Sequence, residues 1–235
     1  MGVRGLATLL DSRYSACFVP EPIPVEAVLV IDGNGWALAL SRGVASYEAV
    51  AAAVQASVAS FGARRLMAVF DGAVRGEARA DREAVLAERA LGRGDAAASA
   101  LYGDGDGGRA VLLLAVEQCC ATARSCGVEV RFADGEADDL ISRICRGDSD
   151  SSSDEEPSEE GSSPRVTNVF YAVSEDSDFA ACRGVRLLRL SSLRFDDSGC
   201  LEAGVVWRRA AVAEALGFGD ERDICELALA IRPAS

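Results

Sequence analysis

Four short acidic segments, each at the end of an apolar run or just beyond one, constrain this chain more than any other feature. They are VLVIDGNG at Val28–Gly35, AVFDG at Ala68–Gly72, GEADD at Gly135–Asp139 and SEDSDF at Ser174–Phe179. Together they carry Asp32, Asp71, Glu136, Asp138, Asp176 and Asp178. A short apolar run bounded by turn residues reads as a strand buried on both faces, the signature of a parallel sheet. In open α/β sheets ligands bind beyond the carboxyl ends of the strands. Acids at successive strand ends therefore converge on one edge. Carboxylates that close together raise one another's pKa unless cations neutralise them. The pattern predicts a site for divalent metal, and the substrate that suits such a site is a phosphodiester.

The rest of the chain supports an α/β class. Helices are expected over 3–11, 33–40, 46–61 (with Ser46 as N-cap), 74–91, 109–126, 136–145, 208–216 and 221–230. Strands are expected over 28–31, 66–70, 128–132, 169–173 and 185–190, with a hairpin or irregular segment over 193–206. The helix over 109–126 reads as apolar on more than one side. Strands alternating with helices imply right-handed crossovers and a central, mainly parallel twisted sheet with helices on both faces. The expectation is a single domain over 1–235.

Composition excludes several chemistries. The chain has no His, and its eight Cys form no CxxC pair, so a Cys/His zinc site is ruled out as a reading. Nucleophile–His catalysis is ruled out with it. Base chemistry falls to a carboxylate or to a water activated by a cation. Most of the cysteines lie in apolar runs and read as small core residues in a reducing compartment. No apolar stretch reaches the ~18 residues that span a bilayer. A soluble, monomeric, intracellular protein with no membrane partner is expected. The net charge is −13, but seven acids sit in residues 148–160, and without them it is −6. That balance permits phosphate binding once cations occupy the acidic set.

Taken singly, each segment has a plainer explanation. DGNG and FDG are turn formers. Glu136 and Asp138 suit a helix N-terminus, where acids gain roughly 0.3–1 kcal/mol from the dipole. SEDSD can cap a helix. Their conjunction favours the shared site, because bland turns need not be acidic at successive strand ends. Mg²⁺ or Mn²⁺ suits an all-oxygen donor set, and two such ions are expected.

At these residues the sequence resembles the flap-endonuclease/XPG-type nuclease superfamily, whose core is PIN-like α/β. MGVRGL resembles that family's opening. VLVIDGNG and AVFDG resemble its first two Asp motifs, EAD its ExE/ExD pair, and SEDSDF its (T/S)xDxD motif. GEADDLI and SEDSDF sit closest to the asteroid-like branch. The resemblance implies a nuclear, metal-dependent nuclease, acting on DNA ahead of RNA in processes such as DNA repair. It implies that Asp32, Asp71, Glu136, Asp138, Asp176 and Asp178 are metal ligands and catalytic. The family's later Gly-x-Asp motif and helix-hairpin element have no counterpart in CELALAIRPAS. Either the chain is a truncated form or the protein has lost them, and the second case opens an alternative, a catalytically weak or inactive asteroid-like scaffold that binds nucleic acid or protein. A small-molecule phosphohydrolase is the weaker rival, because no DxD nucleophile follows the first strand.

Arg75, Arg79, Arg82, Arg89 and Arg93 fall within roughly an 80° arc of the helix expected over 74–91 and its continuation. Acids lie mostly opposite. A solvated face explains this as readily as a phosphate-steering one. In the resembled family this region forms the gateway over the scissile strand, which makes Arg79 and Arg82 the substrate-binding candidates. Trp36 and Phe179 read as core.

Residues 147–164 are Ser, Asp and Glu-rich and offer little to bury, so a disordered acidic insertion is expected. Deleting 147–164 should leave the melting temperature of the protein nearly unchanged. A large drop on thermal denaturation would show that the tract packs.

Overall fold

The structure is a computed structural model, and it describes residues 6–41, 46–72, 115–148, 168–222 and 224. The arginine-bearing region 74–93, most of the acidic tract and most of the last expected helix lie outside the described residues.

The chain begins with α1 (Leu6–Arg13) and a two-residue strand β1 (Glu21–Pro22). β2 (Val28–Asp32) leads through α2 (Gly33–Ser41) and α3 (Tyr47–Ser60) to β3 (Arg65–Phe70). α4 (Ala115–Ser125) precedes β4 (Glu129–Phe132), and α5 (Ala137–Arg146) follows it. β5 (Phe170–Val173) runs into a 3-10 helix, Ser177–Ala181. β6 (Arg186–Leu188), β7 (Arg194–Phe195), β8 (Leu201–Gly204), β9 (Val206–Arg208) and α6 (Arg209–Ala215) complete the described elements.

Six strands form the main sheet in the order β4-β3-β2-β5-β6-β9. All neighbours are parallel except β9, which runs antiparallel to β6. The expected α/β class, with a mainly parallel sheet between helices, is what the chain adopts. Residues of β2 alternate between two cores. Val28 and Val30 pack with α1, α5 and α6, together with Met67, Val69 and Ala172. Leu29 and Ile31 pack with α2, α3 and α4, together with Ala68, Phe70 and Val173. A strand buried on both faces has no solvent face to write in polar residues, which is why VLVI is continuous.

Local chemistry sets the helix ends. The Ser46 hydroxyl accepts the Ala49 N–H at 3.2 Å, capping α3 as expected. The buried positions of α5, Ala137, Leu140, Ile141 and Cys145, recur at helical spacing toward the sheet. The helix ends at Gly147, whose φ of 77° is the left-handed conformation that terminates helices. Gly147 and Asp148, the first residues of the acidic tract, thus belong to this ordered cap, with Asp148 paired to Arg146 at 2.8 Å.

Three expectations need correction. α4 is buried on one face only over its described length. Ala115, Cys119, Cys120, Thr122 and Ala123 are covered, while Val116, Glu117 and Arg124 are exposed. The segment 193–206 contributes to a second sheet, β1-β8-β7, whose first strand lies far back in the chain. Its last residue, Val206, begins β9, the antiparallel edge of the main sheet. Of the described cysteines, Cys119, Cys120 and Cys145 are buried, Cys126, Cys182 and Cys200 are half-buried, and Cys17 is exposed. Burial pushes the Cys119 and Cys145 thiols up to about 12, so they are inert core residues. No described helix is long and apolar enough to cross a membrane.

Gly72 is where the sheet edge is tightest. Its N–H donates to the Gly135 carbonyl at 2.9 Å, and a Cβ there would lie 1.6 Å from the Ala133 carbonyl oxygen. A Cβ at Gly135 meets nothing within 4 Å. Gly72→Ala should therefore destabilise the fold by about 1–3 kcal/mol, as forced overpacking does, while Gly135→Ala stays near neutral. Urea denaturation of the two variants tests the contrast.

Candidate metal centre

The order of the main sheet places a reversal between β2 and β5. From β2 the chain steps outward through β3 to β4, then returns to pair β5 against the other side of β2. Such a switch point leaves a crevice beyond the strand ends. Asp32 is the last residue of β2, and Asp71 follows β3 directly. Ser174, Glu175 and Asp176 follow β5. Glu136 is the N-cap of α5, and Asp138 and Asp139 lie in its first turn.

Asp32 is held from both sides. Its Oδ1 accepts the Gly35 N–H at 3.0 Å, and its Oδ2 accepts the Ser174 hydroxyl at 2.9 Å. A Cβ on residue 35 would come within 2.5 Å of Asp32 Oδ2, so the glycine makes room for the carboxylate. The Ser174 Oγ also accepts the Asp176 N–H at 3.0 Å, which ties the β5 loop to β2. Ser174 is buried. The Asp176 Oδ1 accepts the Asp178 N–H at 3.0 Å and caps the 3-10 helix.

Asp71 reaches across the crevice. Its Oδ1 accepts the Ala137 N–H at 2.8 Å, so it caps α5 from 66 residues away. Glu136, the N-cap residue itself, makes no side-chain capping bond. A helix cap of this kind contributes ~1 kcal/mol. The plain reading of these acids as caps and turn formers is thus correct for Asp71 and Asp176 as far as it goes. It does not explain why the charges of both act on Asp32.

Burial raises the Asp32 pKa above its ordinary value, and the charges of Asp71 and Asp176 raise it further against the lowering effect of its two hydrogen bonds. Asp138 is pushed up to about 7, first by burial, then by the charges of Asp176 and Asp32, with Glu136 adding to them. Mutual repulsion therefore joins Asp32, Asp71, Glu136, Asp138 and Asp176. Glu136 and Asp139 are exposed, and Asp178 is half-buried beside Asp176 in the 3-10 helix. Trp36 and Phe179 are core residues, as expected. Arg79 and Arg82 lie outside the described residues.

The donor chemistry fits a hard divalent cation, being all carboxylate. Among the described residues no group of three acids stands close enough to enclose an ion as the side chains lie. A carboxylate oxygen that accepts one hydrogen bond keeps a second lone pair for a cation. Sequence reasoning passed over Ser174 as a site residue. Its signal was a hydroxyl placed directly after an apolar run and two residues before an acid.

No known family profile matches the chain, and no curated protein does. Solved structures do share the fold. The catalytic core of Rad2 in complex with DNA substrate overlaps at TM-score 0.54, with 13% identity over 99% of this chain and 59% of that one. A second DNA complex of the same core gives TM-score 0.50, with 14% identity over 94% and 60%. A eukaryotic junction-resolving enzyme, GEN-1, overlaps more loosely at TM-score 0.44, with 16% identity over 87% and 40%. The fold is PIN-like, and the chain spans about three-fifths of the length of the Rad2 core.

The Asp138 carboxyl makes metal-free stability depend on pH. Its folded pKa of about 7 lies above the ordinary 3.8, so between those values the folded state holds a proton that the unfolded state releases. Stability contributed by that proton is present at low pH and lost as pH rises through about 7. Denaturation in chelator at pH 5 and pH 8 should show Asp138→Asn gaining on the wild type at the higher pH. Equal differences at both pH values would contradict the shift.

Proposed function

We propose that this protein is a metal-dependent phosphodiesterase acting on nucleic acid, a structure-specific nuclease with a two-cation carboxylate site. One observation carries the reading: at the sheet's switch point the Ser174 hydroxyl ties Asp32 at the end of β2 to the Asp176 backbone after β5, while Asp71 after β3 caps the helix that carries Asp138. The fold shared with the catalytic core of Rad2, solved in complex with DNA substrate, supports it. Asp32, Asp71, Glu136, Asp138, Asp176 and Asp178 are the proposed ligands for Mg²⁺ or Mn²⁺. Bound there, two such ions would supply water activation and charge stabilisation at the leaving oxygen. The chain's own part is to hold Asp32 fixed through Gly35 and Ser174 and to keep Asp138 able to release its proton near neutral pH. Arg79 and Arg82 are the proposed phosphate contacts, and DNA is the proposed substrate ahead of RNA, in the nucleus.

A second reading is a scaffold that keeps the fold without cutting. It is favoured by the lack, among the described residues, of three acids already gathered round one point. The test is cleavage of flap, nicked and single-stranded DNA, and of RNA, with Mg²⁺ or Mn²⁺. The wild type should cut, and Asp176→Asn should lose most of the activity. Asp32→Asn should also lose activity while raising the stability of the metal-free protein. Metal bound in calorimetry without cleavage of any substrate would favour the scaffold.

A further inference from the structure

The segment that carries Asp176 is fastened from two sides. Inward, the Ser174 N–H donates to the Leu188 carbonyl at 3.3 Å, and its hydroxyl bridges Asp32 and the Asp176 N–H. Outward, Glu175 accepts from Arg189 Nη2 at 2.9 Å, from the Ser191 hydroxyl at 3.1 Å and from the Ser191 N–H. We propose that Glu175 and Arg189 form a clamp that aims the Asp176 carboxylate at the crevice. They are positioning residues, and the inference rests on the cation-binding reading of that site.

An exposed ion pair contributes little, because solvent competes for both partners. This pair differs in its anchor. The Arg189 side chain is only 13% exposed. Its guanidinium lies 4.6 Å over the ring of Trp207, which is buried in the main core. Its other terminal nitrogen donates to Asp11 of α1. The planar guanidinium fork cannot satisfy both acids and the ring in a second orientation. The following residues are also tied down. Ser192 Oγ donates to the Arg189 carbonyl at 2.8 Å and accepts the Val205 N–H at 3.0 Å. Glu175 therefore binds a fixed surface. It joins the loop after β5 to the loop after β6 across two paired strands. With residues 174 and 175 both held, the backbone of Asp176 has one orientation. Its carboxylate is then directed by its own side-chain torsions and by the Asp178 N–H that its Oδ1 accepts.

The test is Mn²⁺ titration by calorimetry on the full chain, with amide hydrogen exchange of the same proteins in chelator. Glu175→Ala should weaken Mn²⁺ binding by about tenfold, in the range seen when supporting groups behind metal ligands are removed. Glu175→Gln loses the same charge but keeps an oxygen for Ser191, so it should bind more tightly than Glu175→Ala. Equal affinities would reduce the effect to charge and overturn the clamp. Arg189→Gln removes a positive charge, so electrostatics alone would tighten Mn²⁺ binding, whereas the clamp requires it to weaken. If Arg189→Gln does not fold, the two Glu175 variants decide. Exchange should quicken in Glu175→Ala at the Asp176 and Asp178 amides but not in β5. If the wild type binds no Mn²⁺, the metal reading fails by itself. The clamp then stands or falls on exchange, and unchanged protection at those two amides overturns it.

Discussion

Asp32 ends a central strand that two cores bury from both sides, and the arrangement of the remaining acids follows from where that strand stops. β2 has β3 on one side and β5 on the other, all parallel, so the chain leaves each of them at the same edge. An acid placed after any of the three is carried to within reach of the others. The Ser174 hydroxyl closes the arrangement by bonding Asp32 and the backbone of Asp176 together. It stabilises the ionised form of Asp32, yet burial outweighs it and the pKa stays raised. The fold thus keeps a repulsion that it could have relieved with arginine or with apolar residues. A retained conflict of this kind marks a functional site more often than a structural one.

Much of this was legible in the residues. VLVI and LMAVF read as strands because parallel strands in a covered sheet carry no polar alternation. Asp32 and Asp71 were placed at their ends by the same logic. Ser46 announced the start of α3, and Trp36 and Phe179 were assigned to the core. The small sheet was not legible. β1 and β7 are two residues each, and β1 takes its partner from the end of the described chain. Such short pairings are decided by tertiary contact, which leaves no periodicity to read. β9 was hidden because VVW continues an apolar stretch whose antiparallel partner, β6, is also short.

The site was half legible. Residue type and position gave the acids, but their hydrogen bonds could not be read from spacing. That Asp71 caps a helix beginning at Ala137 depends on β3 and β4 lying side by side, which their hydrogen-bonded register establishes. Glu175 looked like one more acid of the SEDSDF run. Its carboxylate is taken up instead by Arg189 and Ser191 of the loop after β6. The separation of Glu175 from Asp176 lies in their partners rather than in composition.

The long reach of Asp71 also bears on how the chain assembles. α5 has acids in its first turn and a left-handed glycine at its end, but it lacks a capping bond from its own N-cap residue. Its missing cap arrives only when β3 is in the sheet with Asp71 at its tip. Loop closure over that distance carries an entropic cost that local helix formation does not. The start of α5 should consequently become fixed late, after β3 and β4 have paired. The crevice would then take shape at the end of folding rather than serve as its nucleus.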